Sequence, residues 1–252
     1  MVGQLTPENK IEIIYPDSDG QPMADNTKQY QWIVKIKENL EILFASQADI
    51  FVGGNLLWYP VEGSNKIRQA PDILVVFGRP KADRGSYQQW KENNIPPQVV
   101  FEILSPSNGH KEMAKKLLFY NHYGVEEYYI YDPDNIEFSI FIRSHNWLEE
   151  IEEVNNCVSP RLGISFELTA DTLEIYYPDG RKFLTSVELD QQREQEKQRA
   201  EQEKQRAEQE KQRAEQERQE KETALSQLDT ERQRYQDLLA KLQAKGIDLD
   251  SL

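Results

Sequence analysis

Apolar residues are distributed in two regimes along the chain. Through roughly the first three quarters they recur in short runs and at helical spacing; beyond that they thin to a sparse stripe in a charged background. Ile11–Tyr15 alternate weakly and run into the turn-forming stretch Pro16–Gly20. Ile33, Ile36, Leu40 and Leu43 fall on one helical face, with Asn26 or Thr27 as the cap, which predicts a helix to about Phe44. Asp49–Val61 reads as strand, interrupted at Gly53-Gly54 by a bulge or hairpin. Ile73–Phe77 is a continuous apolar run, as expected of a strand covered on both faces. Gly78–Pro97 is polar, carries Trp90, and reads as a long loop. Val99–Leu104 is a second apolar run, closed by Pro106. A helix over Lys111–Tyr123 follows, stopped by Gly124, then a strand over Glu127–Tyr131. Glu137–Ile142 and Trp147–Glu152 suggest a hairpin, and further short strands, including Leu173–Tyr177, extend to about Phe183. The expected fold class is α/β (α+β): a mixed sheet flanked by helices.

From Arg193 the sequence repeats every seven residues, with Ala200, Ala207 and Ala214 opening successive units. Glu and Lys spaced three and four apart support a solvated helix. Leu225, Leu228, Tyr235, Leu239 and Leu242 continue the same frame at a and d positions, interrupted by Arg232, and Gly246 ends the helix. The expected organisation is a domain over residues 1–188 and a coiled-coil tail over residues 189–252 that pairs two copies into a homodimer.

Composition changes this picture in one respect. The net charge is −14. The tail holds 13 Lys and Arg against 16 Asp and Glu, a net of −3, which leaves −11 on the front domain. An acidic body binds nucleic acid poorly unless a local basic groove or a divalent cation attracts phosphate. Cys157 is the single cysteine, so an internal disulfide and a thiolate zinc cluster are both excluded. His110, His122 and His145 lack metal-ligand spacing. The polar start Met1–Lys10 does not read as a signal peptide, and no apolar stretch reaches the ~18 residues of a membrane span. The expected location is cytoplasmic.

The candidate chemistry begins with Glu102, which interrupts Val-Val-Phe-Glu-Ile-Leu. A carboxylate inside a buried strand costs several kcal/mol unless it is paired, hydrogen-bonded or bound to metal. An edge position or an Arg partner would also accommodate it. Pro-Asp occurs four times, but only Pro71-Asp72 opens directly into a buried strand. Acids at the mouth of one strand and within the next can converge, and two carboxylates with a backbone carbonyl suit Mg²⁺. On the following helix Glu112, Lys116 and Tyr120 stand at i, i+4 and i+8, on one face. Ser105 and Ser107 suit a helix cap or the turn after the strand.

Pro71-Asp72, Glu102-Ile103-Leu104-Ser105-Pro106-Ser107, Lys116 with Tyr120, and the string Gly124–Pro133 together resemble the bacterial family of restriction-endonuclease-like proteins, formerly a domain of unknown function, within the PD-(D/E)xK nuclease superfamily. The resemblance covers about Gln29 to Pro133. It implies a restriction-endonuclease-like fold and Mg²⁺-dependent hydrolysis of DNA, with Mn²⁺ able to substitute. Asp72, Glu102 and the carbonyl of Ile103 would hold the metal, Lys116 would position water or stabilise charge, and Glu112 and Tyr120 would support it. Leu104 stands where the plain superfamily motif has its lysine; in the family that lysine sits on the next helix, where Lys116 matches. The superfamily also draws an acid from its first helix, for which Glu38 and Glu41 are present. An RNA substrate would use the same chemistry. The other reading, favoured by the acidic charge and the moved lysine, is a catalytically weak or inactive nuclease-fold domain presented by the coiled coil as an interaction module.

Overall fold

The computed structural model describes residues 13–18, 26–106 and 108–244. Gly246, Ser107, and parts of the Ile11–Tyr15 and Pro16–Gly20 segments lie outside them. The chain divides into two compact units, Met1–Glu188 and Leu189–Leu252.

In chain order the first unit contains α1 (Thr27–Leu43), β1 (Ile50–Gly54), β2 (Trp58–Tyr59), β3 (Ile73–Phe77), β4 (Tyr87–Gln88), β5 (Val99–Ile103), α2 (His110–His122), β6 (Glu127–Asp132), β7 (Glu137–Ser144), β8 (Trp147–Glu150), β9 (Ser165–Leu168) and β10 (Leu173–Tyr176). Asn26 caps α1 through its side-chain oxygen, which accepts from the Gln29 N–H at 2.7 Å. Six strands form one mixed sheet in the order β1-β3-β5-β6-β7-β8. Every neighbouring pair is antiparallel except β5 and β6. That parallel pair needs a crossover, and α2 provides it.

The pleat sorts the two central runs by parity. Ile73, Val75, Val99 and Phe101 belong to a core shared with Ile33, Ile36 and Leu40 of α1 and with the β9–β10 hairpin. Leu74, Val76 and Val100 belong to the opposite core, shared with Trp58, Tyr120 and Tyr128. Burial on both faces explains why β3 and β5 read as unbroken apolar runs, although β3 is antiparallel to both neighbours.

The stretch Gly78–Pro97 is not wholly a loop. Within it β4 pairs in parallel with β2, Trp58 opposite Tyr87, and a 3₁₀ turn spans Gln89–Lys91. The Tyr87 hydroxyl donates to the Ile95 carbonyl at 2.7 Å and the Trp58 indole donates to Gln89 Oε1 at 3.0 Å. Two-residue strands are too short to show a periodicity, so side-chain anchoring defines them.

α3 (Ser186–Ala244) starts earlier than the heptads suggest. Thr185 and Glu188 form a reciprocal cap: the Thr185 N–H donates to Glu188 Oε2 at 2.8 Å, and the Glu188 N–H donates to Thr185 Oγ1 at 3.3 Å. Within the tail Leu225, Leu228, Tyr235 and Leu238 are exposed. Among the described residues no helix is long and apolar enough to cross a membrane.

Asn39 pins the far end of α1 to the segment that precedes α3. It is fully buried and donates to the carbonyls of Lys35 (2.6 Å) and Leu184 (2.7 Å). Its Oδ1 accepts from the Tyr177 hydroxyl at 2.8 Å and the Leu184 N–H at 3.2 Å. Asn39→Ala strands these partners in a dry site and is expected to cost about 2–4 kcal/mol in urea unfolding. An unchanged midpoint would show that the bonds add no net stability.

Candidate active site

Sheet register brings the candidate acids together. Ile73 stands opposite Phe101, so one step outward the same register sets Asp72 opposite Glu102. Two steps outward Ile103 meets Pro71, which has no N–H to donate. The antiparallel ladder stops there. The Ile103 peptide finds other partners: its N–H donates to Asp72 Oδ2 at 2.6 Å, and its carbonyl accepts from Gln29 Nε2 at 2.8 Å. On the other side of β3 the bonding continues, the Asn55 N–H donating to the Asp72 carbonyl at 3.0 Å.

Glu102 lies on a central strand and is 2% exposed. Of the accommodations open to such an acid, neither an edge position nor an Arg is used. Lys116 Nζ lies 2.8 Å from Oε2, and the Tyr120 hydroxyl donates to Oε1 at 2.5 Å. Val100 and Glu102 share the α2 side of the sheet, and four-residue spacing turns Lys116 and Tyr120 toward it. Tyr120 is fully buried, its ring parallel to that of Trp58. Glu112, at the outer end of the same helical face, is half-exposed and 3.9 Å from Lys116 Nζ. It also accepts a long bond from Asn108 Nδ2. Ser105 shapes the turn before α2 through Asn108 Oδ1, while the N-cap position belongs to Gly109.

The electrostatics follow from this packing. Burial alone would push the Lys116 ammonium down, but Glu102, then Asp72 and Glu112, outweigh it and hold the group above the ordinary lysine value. Burial and then Glu102 push the Tyr120 phenol well up, so it remains a donor. The site thus holds Glu102 between a cation and a neutral hydroxyl.

Two further residues belong to this arrangement. Gln29 is buried and continues the stripe of Ile33, Ile36 and Leu40 by one turn, so a polar residue on an apolar stripe was the signal for it. It is the residue that α1 sends to Ile103; Glu41, one of the two acids present on that helix, pairs with Lys37 at 2.7 Å. Tyr128, fully buried beside Tyr120, announces itself by no pattern in its run of aromatic residues. Among the described residues no group of three or more His, Cys, Asp and Glu could hold a metal ion, so a cation here would rely on two carboxylates and main-chain or water oxygens.

Beside Asp72, Gly54 closes the edge of a groove of about 500 Å³ lined by Lys37, Glu41, Lys81 and Arg84. A Cβ on Gly54 would meet Lys37 Cδ at 3.1 Å, so the glycine lets the lysine stem lie against the strand. These cations have internal partners: Arg84 holds Glu92 at 2.8 Å, and Lys81 donates to the Phe44 carbonyl at 2.6 Å.

Lys116→Met should destabilise the protein by about 3–5 kcal/mol, because it leaves a buried carboxylate without its cation. The double variant Lys116→Met with Glu102→Gln should recover much of that loss. Chemical denaturation of these two variants and of Glu102→Gln alone checks both outcomes, and additive losses would rule out coupling between the residues.

A crystal structure described as a putative nuclease belonging to DUF820 from Anabaena variabilis ATCC 29413 is similar at a TM-score of 0.41 and 18% identity, over 55% of this chain and 74% of that chain. No curated protein matches. The family model described as Uma2, putative restriction endonuclease, matches residues 5–174, more than half of the 252-residue chain, and the chain belongs to that family.

Proposed function

We propose that the domain is a Mg²⁺-dependent endonuclease that hydrolyses DNA phosphodiester bonds, with Mn²⁺ able to replace Mg²⁺. The observation that carries this reading is the placement of Asp72 opposite Glu102 at a broken ladder, with Lys116 on Glu102. The donor set fits a hard cation. Asp72 and Glu102 offer carboxylate oxygens, and the Ile103 carbonyl has a second lone pair beside the one Gln29 uses. A divalent cation bound there supplies Lewis-acid polarisation of a phosphoryl oxygen and a more acidic water. Lys116, held protonated, orients the attacking water or stabilises the charge that develops on phosphorus. Tyr120 fixes the Glu102 carboxylate so that Lys116 keeps its place, and Glu112 adds negative charge at the outer end of Lys116.

Calorimetric titration of Mg²⁺ or Mn²⁺ into the wild type, Asp72→Asn and Glu102→Gln tests the reading, with supercoiled-plasmid nicking run in parallel. Binding and nicking are both expected in the wild type. Each substitution should weaken binding at least tenfold and abolish nicking. If the wild type neither binds metal nor cuts DNA, the endonuclease reading fails. The alternative, a nuclease fold serving as an interaction module, draws support from the net −11 of the front domain, which opposes unspecific DNA binding.

The tail belongs to the same proposal. Leu225, Leu228, Tyr235, Leu239 and Leu242 keep one heptad frame on an exposed helix, which suits pairing with a second copy and would supply two sites for two strands. Sedimentation of the full chain should report a dimer, and Leu225→Glu with Leu228→Glu should return it to a monomer without loss of the domain's fold. A monomer at every concentration would sink the pairing.

A further inference from the structure

Among its described residues the first unit buries seven tyrosines: Tyr59, Tyr87, Tyr120, Tyr128, Tyr129, Tyr131 and Tyr177. Six hydroxyls are bonded within the chain. Tyr59 donates to the Pro16 carbonyl, Tyr87 to that of Ile95, Tyr120 to Glu102, Tyr129 to Glu127 and Tyr177 to Asn39, while Tyr131 accepts from the Leu173 N–H. Tyr128 is the exception: its hydroxyl is buried with no hydrogen-bond partner among the described residues.

Packing alone does not account for that hydroxyl. Tyr128 extends from β6, opposite Val100 of β5, into the core on the α2 side. Its ring stands edge-on to Tyr120 at 4.9 Å and against Phe141 at 5.8 Å. Phenylalanine would make the same ring contacts and would leave no polar atom dry, which is the less costly state for a buried group. Val100 precedes Glu102 by two residues on the same face of β5, and Tyr120, whose hydroxyl bonds Glu102, packs against the Tyr128 ring, so the phenol lies on the Glu102 side of the sheet. Burial first and then Glu102, Asp72 and Glu112 push it well above the ordinary tyrosine range, so it offers a proton and does not become a phenolate. Both Glu102 oxygens already receive bonds, from Lys116 and Tyr120. The partner such a hydroxyl requires is therefore an oxygen that the described residues do not supply.

We propose that Tyr128 is a positioning residue of the Asp72–Glu102 site, its hydroxyl donating to a water molecule in the coordination shell of the divalent cation held there. The inference rests on the metal-dependent reading above and adds to it a third wall of the site, contributed by β6. Tyr128 does not ligate the cation; it fixes the direction of a coordinated water, as groups around metal ligands commonly do.

Tyr128→Phe tests this with two readouts that move in opposite directions. Urea unfolding without divalent ions is expected to show a stability equal to or above that of the wild type, because a dry hydroxyl is removed. Tyr120→Phe, which strips Glu102 of a bonded donor, should in contrast lower it. Calorimetry with Mn²⁺ is expected to show affinity reduced about 10- to 100-fold in Tyr128→Phe. Equal Mn²⁺ affinity in wild type and Tyr128→Phe would overturn this proposal and leave the metal site standing. A loss of stability in metal-free Tyr128→Phe would also overturn it, by showing that the hydroxyl has an internal partner. Failure of the wild type to bind Mn²⁺ would remove the metal-dependent reading and this inference together.

Discussion

The site depends on one missing donor. Proline at position 71 has no N–H, so the Ile103 carbonyl that faces it takes its donor from a side chain, and the β3–β5 ladder ends there with the Ile103 N–H on Asp72. Asp72 takes the Ile103 N–H and Gln29 meets its carbonyl. In a continuous ladder neighbouring strands would occupy both groups. The break thus draws an acid from the mouth of β3 and a polar residue from α1 to the same end of β5, one residue beyond Glu102. Elsewhere the two apolar runs are held by regular pairing and by cores on both faces, so the irregular end is set on a rigid platform.

The first unit contains a second buried carboxylate, and the contrast between the two is informative. Glu127, 1% exposed, begins β6 and accepts from the Tyr129 hydroxyl at 2.8 Å, the Ser159 hydroxyl at 2.5 Å and the Arg161 N–H at 2.5 Å. All three donors are neutral. Burial pushes Glu127 above the usual carboxylate range despite those bonds. They tie β6 to the loop before β9, and the residue acts as a structural knot. Glu102 is matched by a cation with 12% of its side chain exposed, and Asp72 stands across from it. A closed ring of neutral donors holds a fold together; an acid paired to a reachable ammonium beside a second acid has chemistry available to it.

Much of this was legible in the sequence. The apolar runs around Asp72 and Glu102 mark buried strands, and a lone acid in such a run demands a partner. Four-residue spacing identified Lys116 and Tyr120 as residues on one face of the next helix, and the structure sets both against Glu102. What escaped notice shares a physical reason. The β2–β4 pair is held by side-chain anchors and not by periodicity. Gln29 contributes through a contact 74 residues away in sequence, and Tyr128 through the absence of a contact. Neither kind of information resides in local pattern. The start of α3 was available as Thr-Ser-Val-Glu at residues 185–188, a short capping signal overshadowed by the heptads behind it.

The Lys116–Glu102 pair has a consequence for the order of events in the life of this protein. An acid sealed in a sheet usually makes folding contingent on whatever neutralises it, and where that is an ion drawn from solution, an ion-starved cell would accumulate unfolded chains. Here the neutralising charge is encoded 14 residues downstream in the same polypeptide. The counter-charge arrives with the chain itself, so closing the sheet over Glu102 calls for no ion from solution.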